Sequence, residues 1–306
     1  MSDNNQVGIF KRKPTKPIER EPSPNHRKWH GASLMDAAVA LFPVKDGFIK
    51  ALSGSISALE AGLVYFAVQA VVAFIWLSRR QMQTTRTNPP LKLSTLSIFR
   101  SVFQILAIIL FFYSIQNAPL AEAVVLFSSN AFFVILFSVF FREDTKLDVI
   151  LKALFGFVGV IIVLGPNVFK FGNAYLLFAL FSAMIFAVYL ILTKKMGEKY
   201  LPNQMLFVDG IIGVCLISVC VIVSTSMGAV SAFNNLAMQY WLYLLAPGLI
   251  GTCSALLVIA VMKRAPASLT APLGYIEIVS AFAIGVLVFN EDIYALSTIG
   301  CSFIPA

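Results

Sequence analysis

The chain has 306 residues, of which 58% are apolar and only 12% charged, with a mean hydropathy of +0.84 and a net charge of +8. Soluble domains run near ~45–50% apolar and ~25% charged, so this composition excludes a disordered chain, a coiled coil and a disulfide scaffold, and it holds more apolar side chains than one soluble core could bury. Ten membrane helices of about 20 residues each would occupy about two thirds of it.

Residues 1–31 read as a disordered basic tail. Residues 1–30 carry seven Lys and Arg against three acids, and the stretches Lys11-Arg12-Lys13-Pro14 and Pro22-Ser23-Pro24 cannot build a core. No secretory signal is expected, because the next apolar segment contains Asp36, Lys45 and Asp46 and no small-residue cleavage site follows it. Apolar runs of helical length then succeed one another at 32–51, 59–78, 94–115, 120–141, 148–165, 174–193, 204–224, 240–261, 267–289 and 293–306. Lipid offers no water to a lone backbone group, so each run is expected to be a helix. The runs do not alternate as barrel strands would. The last run spans at most ~21 Å at 1.5 Å per residue, so helix ten is expected to be incomplete.

The loops set the orientation. With a cytoplasmic amino terminus, the cytoplasmic segments collect nineteen Lys and Arg, including Arg79, Arg86, Arg142, Lys194, Lys195 and Lys263. The opposite side holds Lys50 and Lys170. This positive-inside asymmetry puts both ends in the cytoplasm. It also accounts for the basic charge without a nucleic-acid partner. Cys215, Cys220, Cys253 and Cys301 all lie in apolar segments without metal-ligand spacing and are expected to be buried apolar residues.

An internal repeat follows. Ala118-Pro119 opens a helix that ends in Arg142-Glu143-Asp144, and Ala265-Pro266 opens another that ends in Asn290-Glu291-Asp292. The offset is about 147 residues and five helices, an odd number, so the copies run in opposite directions. The expected fold is an all-α polytopic membrane protein with ten transmembrane helices in two inverted five-helix repeats, residues 32–166 and 174–306. Inverted repeats are the footprint of many secondary transporters, because two similar halves can exchange roles between inward-open and outward-open states.

The motifs Arg100, Phe111-Phe112-Tyr113-Ser114-Ile115, Ala118-Pro119-Leu120-Ala121, Gly165-Pro166, Ala271-Pro272-Leu273-Gly274-Tyr275 and Phe289-Asn290-Glu291 resemble those of the EamA branch of the drug/metabolite transporter superfamily, over residues 34–306. Asp46-Gly47-Phe48-Ile49-Lys50 and the segment around Tyr275 and Glu277 look most like its S-adenosylmethionine and riboflavin transporter groups. Asn130 stands where the family often has Pro. The resemblance implies a bacterial-type inner-membrane carrier of a small organic metabolite, working by alternating access and lined by helices one, three, four, six, eight and nine. A multidrug exporter on the same scaffold is the alternative. A membrane enzyme would need a nucleophile–base pair or a metal set. A homodimer is compatible with the sequence.

Ionisable residues at membrane depth are costly and point to function. Glu277 lies near the middle of helix nine, on a face shared with Thr270, Gly274, Ala281 and Gly285, and is expected to contact substrate or carry a proton. Tyr275 offers an aromatic face and a polar tip. Asn130 falls at the repeat-equivalent position in helix four, beside Ser128 and Ser129. Lys45, Asp46 and Lys50 lie in the outer half of helix one. Asp46 and Lys50 are four apart and can pair, either as the polar wall or gate of a substrate path or as a self-neutralising pair at the surface. Arg100 can bind an anionic group or reach the inner surface. Asp209 is expected to be solvated, and Gln69 and Gln104 to make packing hydrogen bonds. No phosphate-cradling glycine loop and no metal-spaced cluster is present, so neither ATP drive nor a cofactor is expected.

Overall fold

The computed structural model describes residues 40–83, 93–140, 174–197, 199–262 and 274–291. Among them every long element is an α-helix: α1 (40–51), α2 (Ala58–Gln83), α3 (Thr95–Asn117), α4 (Leu120–Ser128), α5 (Asn130–Phe140), α6 (Tyr175–Gly197), α7 (Pro202–Ser226), α8 (Met238–Met262) and α9 (Gly274–Phe289). Six spans in this part are long and apolar enough to cross a bilayer, with α4 and α5 together forming one of them. The tail, the runs at 148–165 and 293–306, and the Ala265-Pro266 motif lie outside the described residues.

Sequence accounts for the helix ends. Ser94 caps α3 by accepting the Ser97 N–H at 3.3 Å. Pro202 opens α7, where its missing N–H costs nothing. The Glu60 carboxylate serves two elements at once. It accepts the Ser57 N–H and hydroxyl at the start of α2, and the Ser231 hydroxyl and Ala232 N–H from the loop after α7. These bonds account for its buried charge.

Helices from the first part of the chain pack against helices from the second. The closest partners are α2 with α7 and α8, α3 with α6 and α7, and α4 with α9. Val71, Phe74 and Trp76 on α2, and Val219 and Ile222 on α7, are each more than half exposed. Asp46, Gln69, Arg100, Ser101 and Asp209 are all at most 1% exposed. Large apolar side chains on the outside, with a few charged and amide side chains enclosed in an otherwise apolar core, suit a bundle whose solvent is lipid. Cys215, Cys220 and Cys253 are exposed on the bundle surface, not buried as expected. A thiol is apolar enough to face lipid, so burial in protein was not required of it.

The run at 120–141 forms one span that tightens at a single residue, Ser129, whose backbone stays in the right-handed helical region. α4 ends at Ser128 and α5 begins at Asn130. Three consecutive polar side chains turn back on the preceding turn: Ser128 Oγ donates to Val124 O at 2.9 Å, Ser129 Oγ to Leu126 O at 2.6 Å and Asn130 Nδ2 to Phe127 O at 2.7 Å. Side chains that compete for backbone carbonyls loosen a helix, and here they coincide with the one-residue irregularity at Ser129.

Candidate functional site

Lys45 and Asp46 on α1 form a buried ion pair. Neighbouring residues on a helix do not face each other, so the lysine curls back to reach its partner. The ammonium is drawn in by aromatic faces: the centroids of Phe42, Phe111 and Phe112 lie 5.6, 5.8 and 5.8 Å from Nζ. Tyr65 of α2 stands edge-on to Phe112, with centroids 5.6 Å apart. Gly251 of α8 leaves the space for this arrangement. A Cβ there would lie 2.9 Å from the Tyr65 hydroxyl and 3.0 Å from Lys45 Cδ.

Glu277 enters from α9. It is partly buried and lies within electrostatic reach of both Asp46 and Lys45. Among the described residues its carboxylate has no ion pair within 4.0 Å. Residues from α1 and α9 thus place a second carboxylate in the neighbourhood of the Lys45–Asp46 pair. Tyr275 falls in the first turn of α9, and its side chain lies outside the described part. Ala121 of α4 meets Gly285 of α9, and Val125 packs with Ile278 and Phe282. The last of these contacts is at Val125, and Asn130 lies five residues beyond it, at the start of α5.

Lys50 does not pair with Asp46. It pairs with Glu291 at 2.6 Å and donates to Ala118 O at 2.6 Å. Asp46 is already taken by Lys45, and two acceptors lie closer to the carboxy-terminal end of α1. Glu291 also accepts the Leu120 N–H on both oxygens, at 3.0 and 2.9 Å.

Arg100 and Asp209 form a second buried pair, 2.7 Å apart, with both side chains 0% exposed. Asp209 is therefore not solvated, and Arg100 does not reach the inner surface. Arg100 also donates to Met205 O and Thr193 Oγ1, Ser101 donates to Asp209, and the Tyr189 ring lies 5.3 Å from the guanidinium. α3 is thereby tied to α6 and α7. Arg100 Nε, Asp209 Oδ2 and Gln104 Oε1 are buried without a hydrogen-bond partner among the described residues. Gln69 donates to Leu206 O at 3.0 Å, a packing bond between α2 and α7.

The two charged groups are joined by rings. Phe111 lies 4.5 Å from Phe127, Phe127 5.2 Å from Phe186, and Phe186 5.2 Å from Tyr189. These rings pack against one another and fill the space between the two charged groups. Sequence reasoning singled out neither these rings nor Tyr65 nor the bond between Asp209 and Arg100. The polar run Ser128-Ser129-Asn130 was the signal available for the irregularity in the fourth span. Among the described residues no group of His, Cys, Asp and Glu has the geometry to hold a metal ion.

Comparison with known proteins comes to the same fold. The profile of the EamA-like transporter family matches residues 30–165 and again residues 173–305. The pseudopaline exporter of Pseudomonas aeruginosa is 23% identical over 271 residues, 88% of this chain and 91% of its own. The S-adenosylmethionine uptake transporter of Rickettsia bellii is 25% identical over 272 residues, 86% of this chain and 84% of its own. A solved crystal structure, 18% identical, superposes with a TM-score of 0.63 over 90% of this chain and 94% of that one.

Proposed function

The chain belongs to the EamA-like transporter family and is a multi-pass membrane transporter, and within that family we propose that it is an inner-membrane secondary carrier of a small organic metabolite, working by alternating access. The observation that carries this reading is the nearness of Glu277 from α9 to Lys45 and Asp46 from α1, among Phe42, Tyr65, Phe111 and Phe112. Ionisable groups between the two parts of a bundle are how carriers build a midplane site. The inverted repeat supports the same depth. Residues related by such a repeat share a level only at the midplane, and the repeat read from the sequence makes Asn130 the counterpart of Glu277.

Charge narrows the substrate class. Asp46 pairs with Lys45, whereas Glu277 has no ion pair among the described residues, and such a carboxylate in a low-dielectric site calls for a proton or a cation. An amphipathic metabolite with a positive group and a flat body fits, with the charge at Glu277 and the ring near the phenylalanines. S-adenosylmethionine, the solute in the Rickettsia relative's name, has that character. The Pseudomonas relative is named an exporter, which favours a second reading in which the same site loads from the cytoplasm. Uptake of labelled metabolites, S-adenosylmethionine first, into proteoliposomes tests the carrier reading. Entry no faster than into protein-free vesicles rejects it.

A further inference from the structure

We infer that Glu291, Lys50 and the amino-terminal edge of α4 form a reversible clasp that closes the outer end of the substrate path. The inference rests on the alternating-access reading. It gives a role to Glu291 and Ala118-Pro119, which the sequence marks as repeated motifs and which the substrate site does not use.

The clasp follows from backbone chemistry. Pro119 has no N–H, so Leu120 carries the first free donor at the start of α4. The Glu291 carboxylate, just past the end of α9, accepts that donor on both oxygens. Lys50, at the end of α1, completes the set by pairing with Glu291 and donating to the Ala118 carbonyl. Its ammonium also lies 5.7 Å from the centroid of Phe289. Three elements from both halves of the chain therefore meet at one carboxylate. Their joint lies one and a half helical turns along α1 from Lys45, on the side away from the Arg100–Asp209 pair.

Exposure separates a latch from a brace. The Arg100 and Asp209 side chains are 0% exposed, so breaking that pair strands a charge away from water. The Lys50 and Glu291 side chains are 16% and 14% exposed, so water can replace each partner as the joint opens. Gly285 keeps the joint tight, because a Cβ there would lie 2.7 Å from Glu291 Oε2.

The test uses the full chain in nanodiscs, where a water-soluble maleimide reaches both faces. All four native cysteines are replaced by Ser, and a single cysteine is introduced by Ala121→Cys, below the clasp. A second protein carries Ala73→Cys, in the cluster with Met196, Met205, Leu206 and Leu256 farther along α2. Both are expected to label slowly when Glu291 is intact. Glu291→Ala removes the pair and the cap together and is expected to speed labelling at position 121 about tenfold, as the loss of a charge-assisted hydrogen bond predicts. Gly285→Ala keeps the carboxylate but displaces it, and is expected to act in the same direction. Labelling at position 73 should stay slow in both. Unchanged labelling at 121 in both variants overturns the clasp as a gate and leaves it a static brace. Equal acceleration at 73 also overturns it, because the protein is then loosening as a whole. Normal flux with unchanged labelling removes the gate and keeps the carrier, so the two readings fail separately.

Discussion

Glu277 and Asp209 are both acids inside the bundle, and their surroundings give them different work. Asp209 accepts from Arg100 and Ser101 and is fully enclosed. Glu277 has charged neighbours on α1 but no ion pair among the described residues. Glu277→Gln keeps the shape and removes the charge. Transport is expected to fall at least about tenfold, with expression and melting temperature near wild type, because the lost interaction is with substrate or a coupled proton. A cationic substrate would lose affinity, whereas a proton-coupled carrier would keep exchange and lose accumulation. Full transport by the Gln variant leaves Glu277 a structural residue. Asp209→Asn should behave in the opposite way. It leaves the Arg100 guanidinium enclosed without its counter-charge, at a cost of about 3–5 kcal/mol. A large drop in melting temperature in detergent is expected, partly recovered by the double variant Arg100→Met, Asp209→Leu, which removes both charges. An unchanged melting temperature for Asp209→Asn would show that the pair does not brace the fold.

At the scale of the element, the length of an apolar run was enough to place the described helices within a few residues of where they lie. Lipid leaves a spanning backbone few alternatives, so this part of the fold was legible. The irregularity at Ser129 was not, because it goes with three side chains turning back onto their own helix. Charge partners were legible in depth but not in rotation. Counting residues put Lys50 one turn from Asp46, yet its partner is Glu291, and the partner of Arg100 is 109 residues away. Such pairs are set by how distant helices pack. Close approach is one such constraint: a Cβ on Gly210 of α7 would lie 2.7 Å from the Ala70 backbone nitrogen of α2. Gly210→Val must push these helices apart and is expected to cost about 1–3 kcal/mol by overpacking. Melting temperature and expression check this, and wild-type values for both would mean that α2 and α7 do not meet at Gly210.

Among the described residues the molecule is a bundle in which the first part of the chain packs against the second, with a charged group at the proposed midplane, a brace through α3, α6 and α7, and a partly exposed joint at the end of α1. The arrangement assumes the orientation that the distribution of Lys and Arg supports. Reporter fusions at Arg86 and Lys195 should both report from the cytoplasm, and a periplasmic signal from either breaks the ten-helix topology. The central claim, a carrier with one site open to alternate sides, is tested most directly by counterflow. Proteoliposomes preloaded with unlabelled S-adenosylmethionine, or with another cation-bearing metabolite that the protein takes up, should admit the labelled compound faster than empty ones, because a loaded carrier returns sooner than an empty one. Glu277→Gln should abolish the acceleration if Glu277 binds the substrate. Labelled uptake that ignores what lies on the far side, or that does not exceed protein-free vesicles for any such metabolite, would contradict the account.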